Sequence, residues 1–148
     1  ATSGMFRAAF AKRRCVIPAS GFYEWQKVEG RRTKQPFAIV PTEDDDMFAF
    51  AGVWDRWGDD FDTCAIVTTT PNEVMNPIHD RMPVILSRDA VDEWLAEDAE
   101  PDRLQALLAP CDPALLRAYP VSRRVNSPKH DDPECIKPET PETQGDLF

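Results

Sequence analysis

The amino-acid sequence predicts an α+β domain, an antiparallel sheet flanked by short helices. Three observations carry that prediction. Runs of branched and aromatic residues follow one another from Cys15 to Thr70, broken only by short polar turns. Apolar residues recur at helical spacing near the start and again after residue 87. The chain has 148 residues, enough to bury one core but not two.

Taken in order, Met5, Phe6, Ala9 and Phe10 share one side of a helix after a candidate cap at Ser3, and a basic cluster ends it. Cys15-Val16-Ile17-Pro18 and the run 21–28, Gly-Phe-Tyr-Glu-Trp-Gln-Lys-Val, read as strands. The polar run 29–34, with Gly30, is a turn, and Gln35 to Pro41 returns as the partner strand. Further strands are expected at 47–57 and 61–70, with acidic turns at 42–46 and 58–60 between them. The segment 70–86 breaks this rhythm, with a helical turn near Pro77, a polar loop, and a short apolar strand. Residues 88–96 and 101–109 read as two short helices, the second with Pro101 in its first turn, and 114–125 as a last extended segment. From Pro133 the sequence turns rich in Pro, Glu and Thr, so residues 1–138 are read as the domain and 139–148 as a mobile tail.

Composition narrows the function classes. No apolar run approaches the ~20 residues that cross a bilayer, and the N-terminal segment does not have the pattern of a secretory signal, so a cytoplasmic protein without membrane contact is expected. Cys15, Cys64, Cys111 and Cys135 are far apart, which predicts buried, reduced thiols. With His79 and His130 the only histidines, and no paired ligand spacing, neither a metal nor another cofactor is expected. The net charge of −9 argues against nucleic acid at first. Residues 1–36, however, hold eight basic groups against Glu24 and Glu29, so the charge is polarised and a basic face remains available.

Two residues stand out as candidates for chemistry. Glu24 lies in a strand of apolar and aromatic residues and projects opposite to Tyr23 and Trp25. It is either held there for general acid–base work or is an edge glutamate paired with a surface arginine. His79, in Pro77-Ile78-His79-Asp80-Arg81-Met82-Pro83, shares a proline-bounded loop with an acid and a fixed cation. Imidazole moves protons readily near neutral pH, although a histidine bonded to its own turn is the alternative. His130 reads as a surface residue, and spacing alone identifies no nucleophile.

Three segments carry a family resemblance. Arg13-Arg14-Cys15-Val16-Ile17-Pro18-Ala19-Ser20-Gly21-Phe22-Tyr23-Glu24-Trp25 is the first. The second is Ala65 to Asn72 followed by Ile78-His79-Asp80-Arg81-Met82-Pro83-Val84-Ile85-Leu86, and the third is Val121-Ser122-Arg123-Arg124-Val125-Asn126. In type, order and spacing they resemble the SOS response-associated peptidase (SRAP) family. The expected fold becomes a curved, partly closed, barrel-like antiparallel sheet flanked by short helices.

The resemblance implies an abasic-site processing protein that binds single-stranded DNA and forms a thiazolidine crosslink through an N-terminal cysteine, with autoproteolytic activity. It implies that Glu24 orients and deprotonates that cysteine and that His79 handles protons on the sugar ring oxygen. Trp25, Arg81, Thr68 and Asn126 are implied as DNA contacts. The implied partner is single-stranded DNA containing abasic sites, met by a monomer that is nucleoid-associated when bound. The family's Met-Cys-Gly-Arg start and its Asn-Ala-Arg segment have no counterpart before Phe6, so the expectation is of a domain lacking its N-terminal part, with some sheet edge uncovered. Two alternatives stay open, a non-covalent single-stranded DNA-binding module and a hydrolase or peptidase using Glu24 and His79.

Overall fold

The computed structural model describes residues 4–43, 46–58 and 61–139, and the side chains from residue 8 onward. Helix α1 (Gly4–Lys12) leads into β1 (Arg14–Ala19), β2 (Phe22–Gln26), β3 (Gln35–Pro41) and β4 (Phe48–Trp57). Strands β5 (Phe61–Ile66), β6 (Thr68–Thr69), β7 (Met82–Pro83) and β8 (Ile85–Leu86) follow. Helices α2 (Arg88–Leu95) and α3 (Pro101–Ala106) precede β9 (Leu116–Pro120), and 3-10 turns lie at Pro113–Leu115, Arg123–Asn126 and Pro133–Ile136. Ser3, the acidic turn residues 44, 45, 59 and 60, and tail residues 140–148 lie outside the described residues.

Every strand pairing is antiparallel, as expected for this α+β class. The ladder is not continuous but falls into three pieces. One runs β1-β4-β5 with β8 beside β4, a second runs β2-β3-β9, and β6 pairs with β7. Val67 and Val84 mark the breaks, because each lies between two short strands and both are buried. The Val67 amide donates to Ala51 O at 2.8 Å, the Val84 amide to Val67 O at 2.8 Å, and the Ala51 amide to Val84 O at 2.9 Å.

β4 explains the layering. Its alternate residues Phe48 and Phe50 face one core with Ile39, Met75, Met82, Ile85 and Leu116, while Ala51 and Val53 face another with Ala9, Val84, Leu86, Trp94 and Leu104. The sheet holding β4 thus has the helices on one face and the β2-β3-β9 sheet on the other. Gly52 lets β1 lie close, since a Cβ there would meet Cys15 Sγ at 2.8 Å and Ile17 Cδ1 at 3.0 Å.

The ends of helices α1 and α2 are both capped by one side chain of β1. The Arg14 guanidinium donates to Phe10 O at 2.9 Å and Ala11 O at 2.6 Å in α1, to Trp94 O at 2.6 Å in α2, and to Ala96 O. Carbonyls at helix ends have no partner within the helix, and α2 carries no basic residue in its last turn. Arg14 therefore supplies from β1 what α2 lacks.

Two expectations need correction. Cys64 is exposed, because β5 is an edge strand with all six residues exposed, while Cys15 and Cys111 are half-buried and Cys135 is buried. All four thiols are free, and burial pushes Cys15 up, with Cys64 adding to the rise. His130 is half-buried, its carbonyl accepting from Cys135 Sγ at 3.6 Å. Within the expected domain bounds, Pro138 bridges to Val121, and the Glu139 amide donates to Pro120 O at 2.8 Å. Trp57 and Phe61, 72 % and 56 % exposed, adjoin the uncovered β5 edge. Among the described residues no helix is long and apolar enough to cross a membrane, and no group of three or more His, Cys, Asp or Glu side chains could hold a metal ion.

Candidate active site

β2 presents its two faces to two different segments. Glu24 and Gln26 turn toward the loop carrying His79, with Gln26 Nε2 donating to Pro77 O at 2.9 Å. Tyr23 and Trp25 turn toward the C-terminal segment. Burial pushes the Tyr23 phenol up, with Cys135, Tyr119 and Asp131 adding to the rise. Trp25 Nε1 donates to Asn126 Oδ1 at 2.7 Å.

Glu24 Oε2 lies 3.9 Å from His79 Nε2, and both side chains are half-buried. The separation is longer than a hydrogen bond, but such contacts commonly tighten only when substrate is in place. His79 Nδ1 accepts the Arg81 amide at 3.1 Å. A neutral ring accepting that amide carries its proton on Nε2, the nitrogen that faces Glu24. When the ring gains a second proton, Nδ1 can donate instead to Arg81 O at 3.2 Å or pair with exposed Asp80 at 3.2 Å. Both protonation states thus have partners, which suits a group that takes and returns a proton. The bond to its own turn holds the ring through Nδ1 and leaves Nε2 toward Glu24.

The exposed Arg81 side chain is held by Thr68. Its guanidinium donates to Thr68 Oγ1 at 2.7 Å and Thr68 O at 2.7 Å, fastening β6 to the histidine loop. The residues singled out by sequence therefore form two groups, Glu24 with His79, Arg81 and Thr68, and Trp25 with Asn126. Among the described residues no side-chain hydrogen bond or ion pair joins the Trp25 or Asn126 side chain to the first group. Thr68, Arg81 and Asn126 are exposed.

One positioning residue escaped sequence reasoning. Asn72, 8 % exposed, is the buried polar side chain among the described residues. Its Oδ1 accepts the Met75 amide at 3.1 Å and its Nδ2 donates to Cys111 O at 3.2 Å. Met75 O in turn accepts the His79 amide at 2.9 Å, so Asn72 starts the turn that delivers His79. The signal was Pro71-Asn72 ahead of an apolar residue three positions on, a turn opening easily passed over inside a longer motif. Asn72→Ala takes their partner from the buried Met75 amide and the half-buried Cys111 carbonyl and should cost about 1–3 kcal/mol, lowering Tm by roughly 2–10 °C in thermal denaturation. An unchanged Tm would remove Asn72 from this role.

Comparison with known proteins agrees with the motifs. Residues 1–128 match the SOS response associated peptidase (SRAP) family. The chain is 46 % identical over 137 residues to the abasic site processing protein YoqW of Bacillus subtilis, covering 89 % of this chain and 60 % of that protein. It is 35 % identical over 150 residues to the abasic site processing protein HMCES of Gallus gallus, covering 85 % of this chain and 44 % of that protein. The chain thus spans 60 % or less of these relatives. A crystal structure of a Bacteroides thetaiotaomicron protein superposes with a TM-score of 0.84 at 28 % identity, covering 94 % of this chain and 62 % of that one. A phage-related protein of Bordetella bronchiseptica gives 0.64 at 29 % identity, covering 82 % and 59 %. Family match, relatives and fold agree, and the chain belongs to the SOS response associated peptidase (SRAP) family.

Proposed function

We propose that this chain belongs to an abasic-site processing protein and holds single-stranded DNA so that the lesion sugar lies against Glu24 and His79. The observation that carries the reading is the 3.9 Å approach of Glu24 to a histidine whose other nitrogen is held by the Arg81 amide. In the whole protein an N-terminal cysteine, as the family resemblance implies, supplies both the amine and the thiol. The amine adds to the ring-opened aldehyde and loses water to give an imine. The thiolate then adds to the imine carbon, and the nitrogen takes up a proton to close a thiazolidine. Glu24 accepts a proton from the cysteine, and His79 returns one to the sugar ring oxygen as the ring opens. An abasic nucleotide has no base to unstack, so presenting its sugar to a cleft is cheap.

A denaturing gel tests this. An abasic oligonucleotide is incubated with this chain and with a version extended to a Met-Cys start. The expected result is an SDS-stable adduct from the extended protein only, abolished when its cysteine becomes alanine. No adduct from either, with salt-sensitive retardation from both, would instead establish a non-covalent binding module.

A further inference from the structure

The hairpin between β2 and β3 has no part in the proposed chemistry, yet its charge contrasts with the rest of the molecule. Residues 27–34 hold Lys27, Arg31, Arg32 and Lys34 against Glu29 alone, in a chain with 26 acids and 17 bases. All four basic side chains are exposed. Four arginines elsewhere are paired with acids: Arg13 with Asp55 at 3.3 Å, Arg56 with Asp62 at 2.8 Å, Arg103 with Glu93 at 2.6 Å and Arg124 with Asp132 at 2.8 Å. Among the described residues none of the four hairpin bases forms such an ion pair. Unneutralised like charges held side by side repel one another, and binding a polyanion relieves that cost.

The root of this hairpin is clamped to the candidate site and its tip is not. Gln26 is tied to Pro77 at 2.9 Å, two residues before His79, and Trp25 is tied to Asn126 at 2.7 Å. Beyond them the turn is closed by the Arg31 amide on Val28 O at 3.1 Å, with Gly30 at φ 74° making the reversal. At ~3.3 Å per residue, Lys27 stands about 10 Å from Glu24 along the chain and the turn about 20 Å. That reach carries the basic residues away from Glu24, toward backbone that lies beyond the lesion.

We propose that the β2–β3 hairpin is a phosphate-gripping arm, taking the nucleic-acid backbone that leaves the cleft on one side of the lesion. The proposal rests on the DNA-binding reading above and adds to it a surface, a direction and four residues. The arm contributes electrostatic hold without base readout, since lysine and arginine on phosphate position a strand without reading its sequence.

The test measures fluorescence anisotropy of the 148-residue chain on an oligonucleotide with a central tetrahydrofuran abasic analogue, across a salt series. The variant carries K27Q, R31Q, R32Q and K34Q, and a control carries R88Q and R103Q on the helical side. Circular dichroism confirms that each is folded. The slope of log K against log salt is expected to flatten by about 2–3 in the hairpin variant, at ~0.7 for each phosphate no longer neutralised, and to stay unchanged in the control. With oligonucleotides that end at the analogue on one side or the other, the difference from wild type should persist for one polarity only. A hairpin variant with the wild-type slope overturns the arm and leaves the DNA-binding reading standing. So does a flattening equal to the control's, or one equal for both polarities. Failure of the wild-type chain to bind DNA at all overturns both.

Discussion

Replacing Trp94 by alanine should destabilise the domain by about 3–5 kcal/mol, a large share of the ~5–15 kcal/mol that holds a typical domain folded. Trp94 is fully buried and sits where α1, α2 and β1 meet. Its ring packs edge-on against Phe10 at 5.7 Å, its Nε1 donates to Cys15 O at 2.9 Å, and the Arg14 guanidinium lies 6.0 Å from the ring centroid. Truncation opens a cavity, leaves the Cys15 carbonyl without its donor and loosens the support under Arg14, which closes two helices at once. Thermal denaturation should show a Tm lower by roughly 6–20 °C. Trp94→Phe keeps much of the volume but not the hydrogen bond and should cost about 1–3 kcal/mol. If the two variants were equally stable, packing around the indole would not be the main term.

In the version extended to a Met-Cys start, Glu24→Gln and His79→Ala should each slow adduct formation by about 10²–10⁴-fold, the usual worth of a positioned acid or base. Retention of an abasic-analogue oligonucleotide should change little, because neither side chain is needed to hold phosphate. The double variant should fall little further than the worse single one if the two act as a unit. Single-turnover kinetics on denaturing gels reads all three. A His79→Ala protein with the wild-type rate would remove the histidine from the chemistry. A double variant equal to the product of the singles would mean that the 3.9 Å approach carries no functional coupling.

Arg14 and Arg81 illustrate how unevenly function is legible in a sequence. Arg14 was legible as part of a basic pair beside a strand, and only the structure shows it closing two helices. Arg81 reads as a fixed cation in the histidine loop, and the structure adds that its guanidinium is bound to Thr68. Charge can be counted along a chain, but whether a guanidinium is already spent on carbonyls depends on segments eighty residues apart meeting in space.

By itself the sequence determined the family and most strands and helices, although the strand read over 61–70 breaks at Val67 and only Leu116–Pro120 of 114–125 is strand. Those are written in short-range patterns: branched and aromatic runs between polar turns, apolar spacing in the helices, and three motifs in order. Alternation along β2 also settled that Glu24 and Trp25 would face opposite ways. Only the tertiary structure decided which segment each face would meet. It brought His79 to Glu24, Asn126 to Trp25 and Thr68 to Arg81, split the sheet at Val67 and Val84, and made Asn72 the buried hinge of the histidine loop. These pairings join residues 13 to 101 positions apart, and no local propensity encodes a contact across such separations, since it forms only when two cores close on β4.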